Sequence, residues 1–60
     1  MSWNEKLVSL RGDTSIEMVC DVTNISPNTY EAYELGERIP EESVKELIAE
    51  FFGVSVSDIW

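Results

Sequence analysis

The segment NISPNTYEAYELGERIP, residues 24–40, has the residue order of a turn, a short helix and a second turn. Ser26 is a favourable N-cap, and Pro27 follows at the first helical position, where a backbone N–H would have no partner within the helix. Tyr30 and Tyr33 then recur one helical turn apart, as core-facing residues of a short helix do. The stretch therefore predicts a turn and then a helix that buries both tyrosines.

The residues before this stretch predict two more helices. Apolar residues recur at helical spacing over about residues 3–11, and Gly12 ends the pattern, which indicates a first helix. The letters TSIE at residues 14–17 form a capping-box pattern, in which a hydroxyl accepts a backbone N–H and the glutamate reaches back to the cap. A second helix is expected to start there and to end at Asn24, which tolerates left-handed backbone.

The residues after this stretch predict a fourth helix and a last turn. Gly36 ends the third helix and Gly53 ends the fourth. The apolar residues of the fourth helix recur on one face: Val44, Leu47, Ile48, Phe51 and Phe52. The letters VSVS at residues 54–57 alternate like a strand but are too few for a sheet, so we interpret them as an extended connector. One of its two serines is expected to cap a last turn that ends at Trp60.

Length and composition predict one all-α domain of four to five short helices. Sixty residues leave room for a single domain, residues 1–60, and 43% hydrophobic residues indicate a folded globule and not a disordered acidic tail. The single cysteine, Cys20, cannot form an internal disulfide, so we interpret it as a small core residue.

The composition also excludes several classes of function. The chain has one cysteine and no histidine, which excludes Cys-His catalysis and Cys-His zinc sites. Because no other nucleophile–base pair is visible, we expect no enzyme, no metal, no cofactor and no small-molecule substrate. The N-terminus lacks the features of a signal peptide, and no segment approaches the length of a membrane span. We therefore expect a cytoplasmic protein that does not bind membranes.

The net charge of −8 comes from four Lys or Arg against twelve Asp or Glu, and it disfavours binding to any polyanion. The total nonetheless overstates the repulsion at any one surface. A globule of this length is about 25 Å across, whereas salt screens exposed charges beyond about 8 Å. Charge close to a contact surface is therefore expected to decide whether nucleic acid is accepted.

The two helices around the Asn-Ile-Ser turn, followed by YELGERIP at residues 33–40, resemble the helix-turn-helix domain of the Cro and phage-repressor type. The resemblance covers nearly the whole chain without a gap and continues through GVSVSDI at residues 53–59. It implies a lambda-repressor-like fold with the helix-turn-helix unit at about residues 15–35. It also implies a small, phage-like transcriptional regulator that binds DNA through the helix starting at Ser26.

The resemblance assigns the DNA-binding residues to the third helix and the turn after it. In the family, the first residues of this helix meet base edges in the major groove. Arg38 matches a basic residue of the turn, where a guanidinium binds phosphate in a fork, and Arg11 is a second candidate phosphate contact. Glu31 lies at the margin of the surface. The implied DNA-binding residues are Ser26, Pro27, Asn28, Thr29, Ala32 and Arg38.

Two departures from the family pattern favour an alternative. Ile16 stands where the family commonly places a phosphate-binding glutamine, and Glu37 stands where Lys or Arg is usual. The alternative is an acidic interaction module of the same fold, a repressor modulator that binds a basic repressor protein and not DNA. If the chain is instead the DNA-binding regulator that the resemblance implies, we expect it to bind an operator-like DNA site specifically but weakly.

Two further apolar residues, Leu35 and Trp60, lie in a loop and at the chain end, where they are either buried or form a candidate interaction patch. Dimerisation through the last segment suits the resemblance, since two recognition helices one DNA turn apart multiply a weak half-site. A homodimer is therefore a candidate assembly.

Overall fold

The computed structural model describes residues 2–60 and shows five α-helices and no strand in that part of the chain. The prediction of an all-α fold is confirmed. The helices are α1 Trp3–Arg11, α2 Ile16–Thr23, α3 Pro27–Glu34, α4 Glu42–Phe52 and α5 Val56–Ile59. None of these helices combines the length and the apolar character that crossing a lipid bilayer requires.

The N-terminus of α2 is capped one residue later than the sequence predicts. Ser15 has the extended backbone of an N-cap, and its hydroxyl accepts the Met18 N–H at 3.1 Å. The capping box starting at Thr14 is therefore wrong. With Ser15 as the cap, Glu17 is the second helical residue, one position short of the residue that reaches back to a cap.

We expect Ser15→Ala to lower the free energy of unfolding by about 1 kcal/mol, because it removes the acceptor for an N–H that has no helical partner. Thr14→Ala is the matched control, since Thr14 contributes only backbone groups to the hydrogen bonds described for this turn. Urea denaturation followed by circular dichroism measures both. Equal losses in the two variants would contradict the assignment of the cap.

Local turn chemistry places both ends of α3 as predicted. Ser26 is the N-cap, accepts the Thr29 N–H at 3.4 Å and is followed by Pro27 at the first helical position. Asn24, at φ 62°, has the left-handed backbone that ends α2. Gly36, at φ 76°, lets the two N–H groups after the last helical turn of α3 return to carbonyls of that turn.

The C-terminal segment differs from the prediction. Residues 54–57 are not an extended connector, because α5 already begins at Val56. The Ser55 N–H donates to the Asp58 carboxylate at 3.0 Å, and this hydrogen bond holds the pKa of Asp58 below its ordinary value. The alternation of valine and serine therefore marks a helix start that carries Ile59 into the core.

The core lies where α3 packs on α1 and α2 and where α4 packs on α2 and α5. The predicted burial of Tyr30, Tyr33 and Cys20 is confirmed. Burial raises the pKa of the Cys20 thiol, as expected for an unreactive core residue. Leu47 belongs to the predicted apolar face of α4, but its side chain is not buried: the residue is 47% exposed. The buried apolar residues are Leu7, Val19, Cys20, Tyr30, Tyr33, Ile48, Ala49 and Ile59.

Candidate nucleic-acid interface

Helix α3 presents an outward stripe on the side opposite its tyrosines. Asn28 and Glu31 are exposed, and Leu35, just after the helix, is 60% exposed. At about 100° of rotation per residue, these three lie within about 60° of one another on the outward side of the helix, with the half-buried Ala32 next to Asn28. Glu31 lies about 60° around the helix from Asn28, at one edge of this surface, and Ala32 lies at the other edge, so the predicted place of Glu31 at the margin stays a prediction.

Two hydroxyls at the start of α3 are bonded to each other. The Ser26 Oγ donates to the Thr29 Oγ1 at 2.7 Å while it accepts the Thr29 N–H. Pro27 has no N–H to offer. The Asn28 side chain, by contrast, forms no hydrogen bond with any residue that the structure describes. Among the predicted residues at this end of α3, Asn28 is thus the one whose donor and acceptor both remain available.

Arg38 lies in the loop between α3 and α4, is exposed, and forms no ion pair within residues 2–60. The other cations are placed differently. Arg11 and Lys45 each pair with a carboxylate, and Lys6 is half-buried. Arg38 is therefore the one exposed cation in the described part of the chain.

The guanidinium of Arg11 is bound inside the fold. Its Nε and Nη2 donate to the two carboxylate oxygens of Glu34 at 2.6 and 3.0 Å, and its Nη1 donates to the Thr14 carbonyl at 2.9 Å. These hydrogen bonds to Glu34 raise the pKa of Arg11. The Arg11 and Glu34 side chains are 20% and 8% exposed. Three of its five N–H donors are thus used within the fold, and Arg11 ties the end of α1 to the end of α3. Its phosphate contact stays a prediction, with less of the guanidinium available than at Arg38.

Further contacts join α1 to the same end of α3. The Asn4 Nδ2 donates to the Glu34 carbonyl at 3.3 Å, and a Cβ at Gly36 would lie 3.2 Å from the Asn4 side chain. The Tyr30 hydroxyl is buried and has no hydrogen-bond partner among the described residues. Burial, and then the nearby Glu34 carboxylate, raise the pKa of Tyr30, so this phenol stays protonated. The Asn4 hydrogen bond and the close approach of Gly36 thus join the Arg11–Glu34 pair in connecting α1 to the end of α3.

Two exposed carboxylates flank the exposed cation. Glu31 lies on the outward stripe of α3, and Glu37 directly precedes Arg38. Neither carboxylate forms an ion pair in the described part of the chain. The acidic groups of α4 belong to a different helix, which packs on α2 and α5. One cation against these two carboxylates leaves a small local excess of negative charge, to which the exposed Glu41, three residues after Arg38, adds.

The two residues of the predicted apolar patch have different environments. Leu35 is exposed and is part of the outward stripe of α3. Trp60 is half-buried, and its ring centroid lies 6.4 Å from that of Trp3 in a stacked arrangement, with the Lys45 Nζ 5.8 Å from the Trp60 ring. Leu35 therefore belongs to the candidate interface, whereas Trp60 completes the rim of the core.

Comparison with known families found that a family model described as Helix-turn-helix matches residues 10–59. The match includes α2, the turn and α3, and it extends through α4 and α5. Comparisons with curated proteins and with solved structures found no match.

Proposed function

Because the chain belongs to the Cro/C1-type helix-turn-helix family, a family of DNA-binding regulators, we propose that it is a transcriptional regulator that binds an operator-like DNA site through α3. The observation that carries the proposal is the placement of Arg38. This guanidinium is exposed, has no ion pair within residues 2–60, and follows the helix that presents the free Asn28 amide. One group is thus available for phosphate and one for a base edge.

The outward stripe of α3 has the chemistry to read bases in the major groove. An asparagine amide binds adenine through two hydrogen bonds, which suits Asn28. A carboxylate accepts a hydrogen bond from the amino group of cytosine, so Glu31 becomes a base-reading residue if it meets a base edge and not a phosphate. Ser26 and Pro27 shape the entry of the helix, since the Ser26 hydroxyl already bonds to Thr29.

The affinity of such an interface for DNA is weak in a single subunit. With Arg38 alone against phosphate, a monomer neutralises about one phosphate and a dimer about two, so the slope of log affinity against log salt is near −1.8 for the dimer. Affinity then falls only about tenfold for a fourfold rise in salt. A homodimer that presents two α3 helices to adjacent half-sites supplies the remaining affinity.

Two substitutions test the proposal. We expect Arg38→Gln to weaken binding to all DNA sequences and to reduce the magnitude of the salt slope by about 0.9 per subunit, because one phosphate contact is lost. Asn28→Ala is expected to relax base preference at one position by about 1–3 kcal/mol while leaving the salt slope unchanged. Fluorescence anisotropy with selected and randomised duplexes measures both.

Lys45→Gln is the matched control, since it removes the same charge from α4 and leaves α3 unchanged. If Arg38→Gln and Lys45→Gln reduce binding equally, α3 is not the contact surface. If the chain binds no duplex even at low salt but forms a stoichiometric complex with a basic helix-turn-helix repressor, the alternative of an acidic modulator replaces the proposal. Its exposed, unpaired Glu31 and Glu37 would then face the partner's cations.

A further inference from the structure

A groove with apolar walls runs between α2 and α4, on a surface that the proposed DNA contact does not use. This α2–α4 groove has a volume of about 340 Å³ and is lined by Val22, Thr23, Leu47, Glu50 and Phe51. Val22 is 63% exposed and Leu47 is 47% exposed, although both are large apolar residues on helices that pack against each other. Adjacent exposed apolar side chains at a groove are typical of an interaction surface.

Each helix carries an apolar row beside the groove and a row of carboxylates next to that row, and one of these carboxylates, Glu50, lines the groove itself. Within each row the two residues are four apart, so they lie one turn from each other on the same face. The apolar rows are Met18 with Val22 and Leu47 with Phe51; Val22, Leu47 and Phe51 line the groove, and the exposed Met18 continues the row one turn before Val22. The carboxylate rows are Glu17 with Asp21 and Glu46 with Glu50. All four carboxylates are exposed and none is in an ion pair with a described residue, so both banks of the groove are negative.

We propose that the α2–α4 groove binds a cationic amphipathic helix of a partner protein. The apolar ridge of that helix lies between the walls, where anchors at i, i+3 or i+4, and i+7 meet the two apolar rows. Its Lys or Arg side chains on either side of the ridge lie against the carboxylate banks, which orient the helix and accelerate its docking.

The charges of the banks distinguish this partner from other occupants. Two-fold pairing of two copies of this chain through the groove would bring carboxylate banks of the same sign together. The one exposed cation of the described chain, Arg38, lies outside α2 and α4 and does not compensate them. The same carboxylates repel DNA phosphates.

A synthetic helical peptide with leucines on one face and lysines on the other is the probe for the groove. Titrated into the full chain while amide chemical shifts are followed by NMR, it is expected to bind saturably with the largest shifts at Val22, Leu47 and Phe51. A scrambled peptide of the same composition lacks an apolar ridge and should bind at least about tenfold more weakly. Equal binding of the two peptides, or largest shifts outside the groove, would overturn the proposal.

Three variants sharpen the test. Leu47→Asn removes an apolar anchor and is expected to weaken peptide binding by about tenfold. Leu35→Asn, at a residue of similar exposure beside α3, should leave peptide binding unchanged, and Glu50→Gln should weaken it by about threefold and flatten its salt dependence. Unchanged thermal unfolding confirms that the variants fold. Equal effects of Leu47→Asn and Leu35→Asn would overturn the proposal, as would a dimer of this chain that Leu47→Asn dissociates, because a second copy would then occupy the groove.

Discussion

Replacing Glu34 with alanine is expected to lower the midpoint of thermal unfolding by roughly 10–20 °C, through a loss of about 2–3 kcal/mol. The Arg11 guanidinium donates to both oxygens of the Glu34 carboxylate, and both side chains are largely buried. Removing the carboxylate leaves a poorly hydrated cation without its partner, and it frees the end of α3 from α1. Thermal unfolding followed by circular dichroism measures the loss, which is a large fraction of the stability of so short a chain.

Two further variants separate the ion pair from a general effect of charge. Glu31→Ala removes the same charge from the exposed side of α3 and is expected to change stability by no more than about 0.5 kcal/mol. Arg11→Met combined with Glu34→Leu removes both charges together, and it should be less destabilised than the sum of the single losses. If Glu34→Ala unfolds at the same temperature as Glu31→Ala, the buried ion pair does not stabilise the contact of α1 with α3.

Reversing the charge of Glu37 is expected to strengthen DNA binding by about tenfold at low salt. A unit charge next to a phosphate contributes on the order of 0.7 kcal/mol in water, and Glu37→Lys changes that interaction from repulsion to attraction, which doubles the difference. Glu37 is exposed and directly precedes Arg38, so the new lysine lies beside the proposed phosphate contact. The salt dependence should become steeper by about 0.9 per subunit.

Glu46→Lys is the control, because it produces the same net charge on α4. Fluorescence anisotropy titrations of the two variants with one duplex compare the effect of charge near Arg38 on DNA affinity with the effect of net charge. We expect Glu46→Lys to change the affinity by no more than about twofold at physiological salt, since screening removes most of the effect of a charge beyond about 8 Å. Equal gains in both variants would show that net charge, and not the surface of α3, limits binding.

Most of the helix-turn-helix unit follows from interactions between residues close in sequence. The N-cap at Ser26, the first helical position of Pro27 and the left-handed Asn24 each depend on neighbours within four residues, and the structure has all three. The spacing of Tyr30 and Tyr33 likewise sets the buried side of α3. The same spacing places Asn28 on the opposite side of α3, so the local sequence also predicts that Asn28 is exposed.

Two predictions about helix starts were wrong because the local sequence suits more than one structure. Thr14 and Ser15 are both good caps, and the choice between them depends on where the preceding turn ends. At the C-terminus, valines and serines alternate in a way that suits either a strand or the start of a helix. The capping of α5 by the Ser55 N–H and the Asp58 carboxylate resolves that ambiguity in favour of the helix.

The roles of the charged and apolar surface residues depended instead on distant parts of the chain. Arg11 and Glu34 are 23 residues apart, and nothing in the neighbourhood of either one indicates that they pair; their pairing leaves Arg38 as the cation available to a phosphate. Leu47 belongs to the apolar pattern of α4, yet the way α2 packs leaves it at the wall of a groove. Helix caps and periodicity are short-range, so the order of residues alone was enough to establish the helices and the buried face of α3. Which charges are neutralised and which apolar side chains stay exposed depends on how the helices are placed against one another, and that is a property of the folded chain.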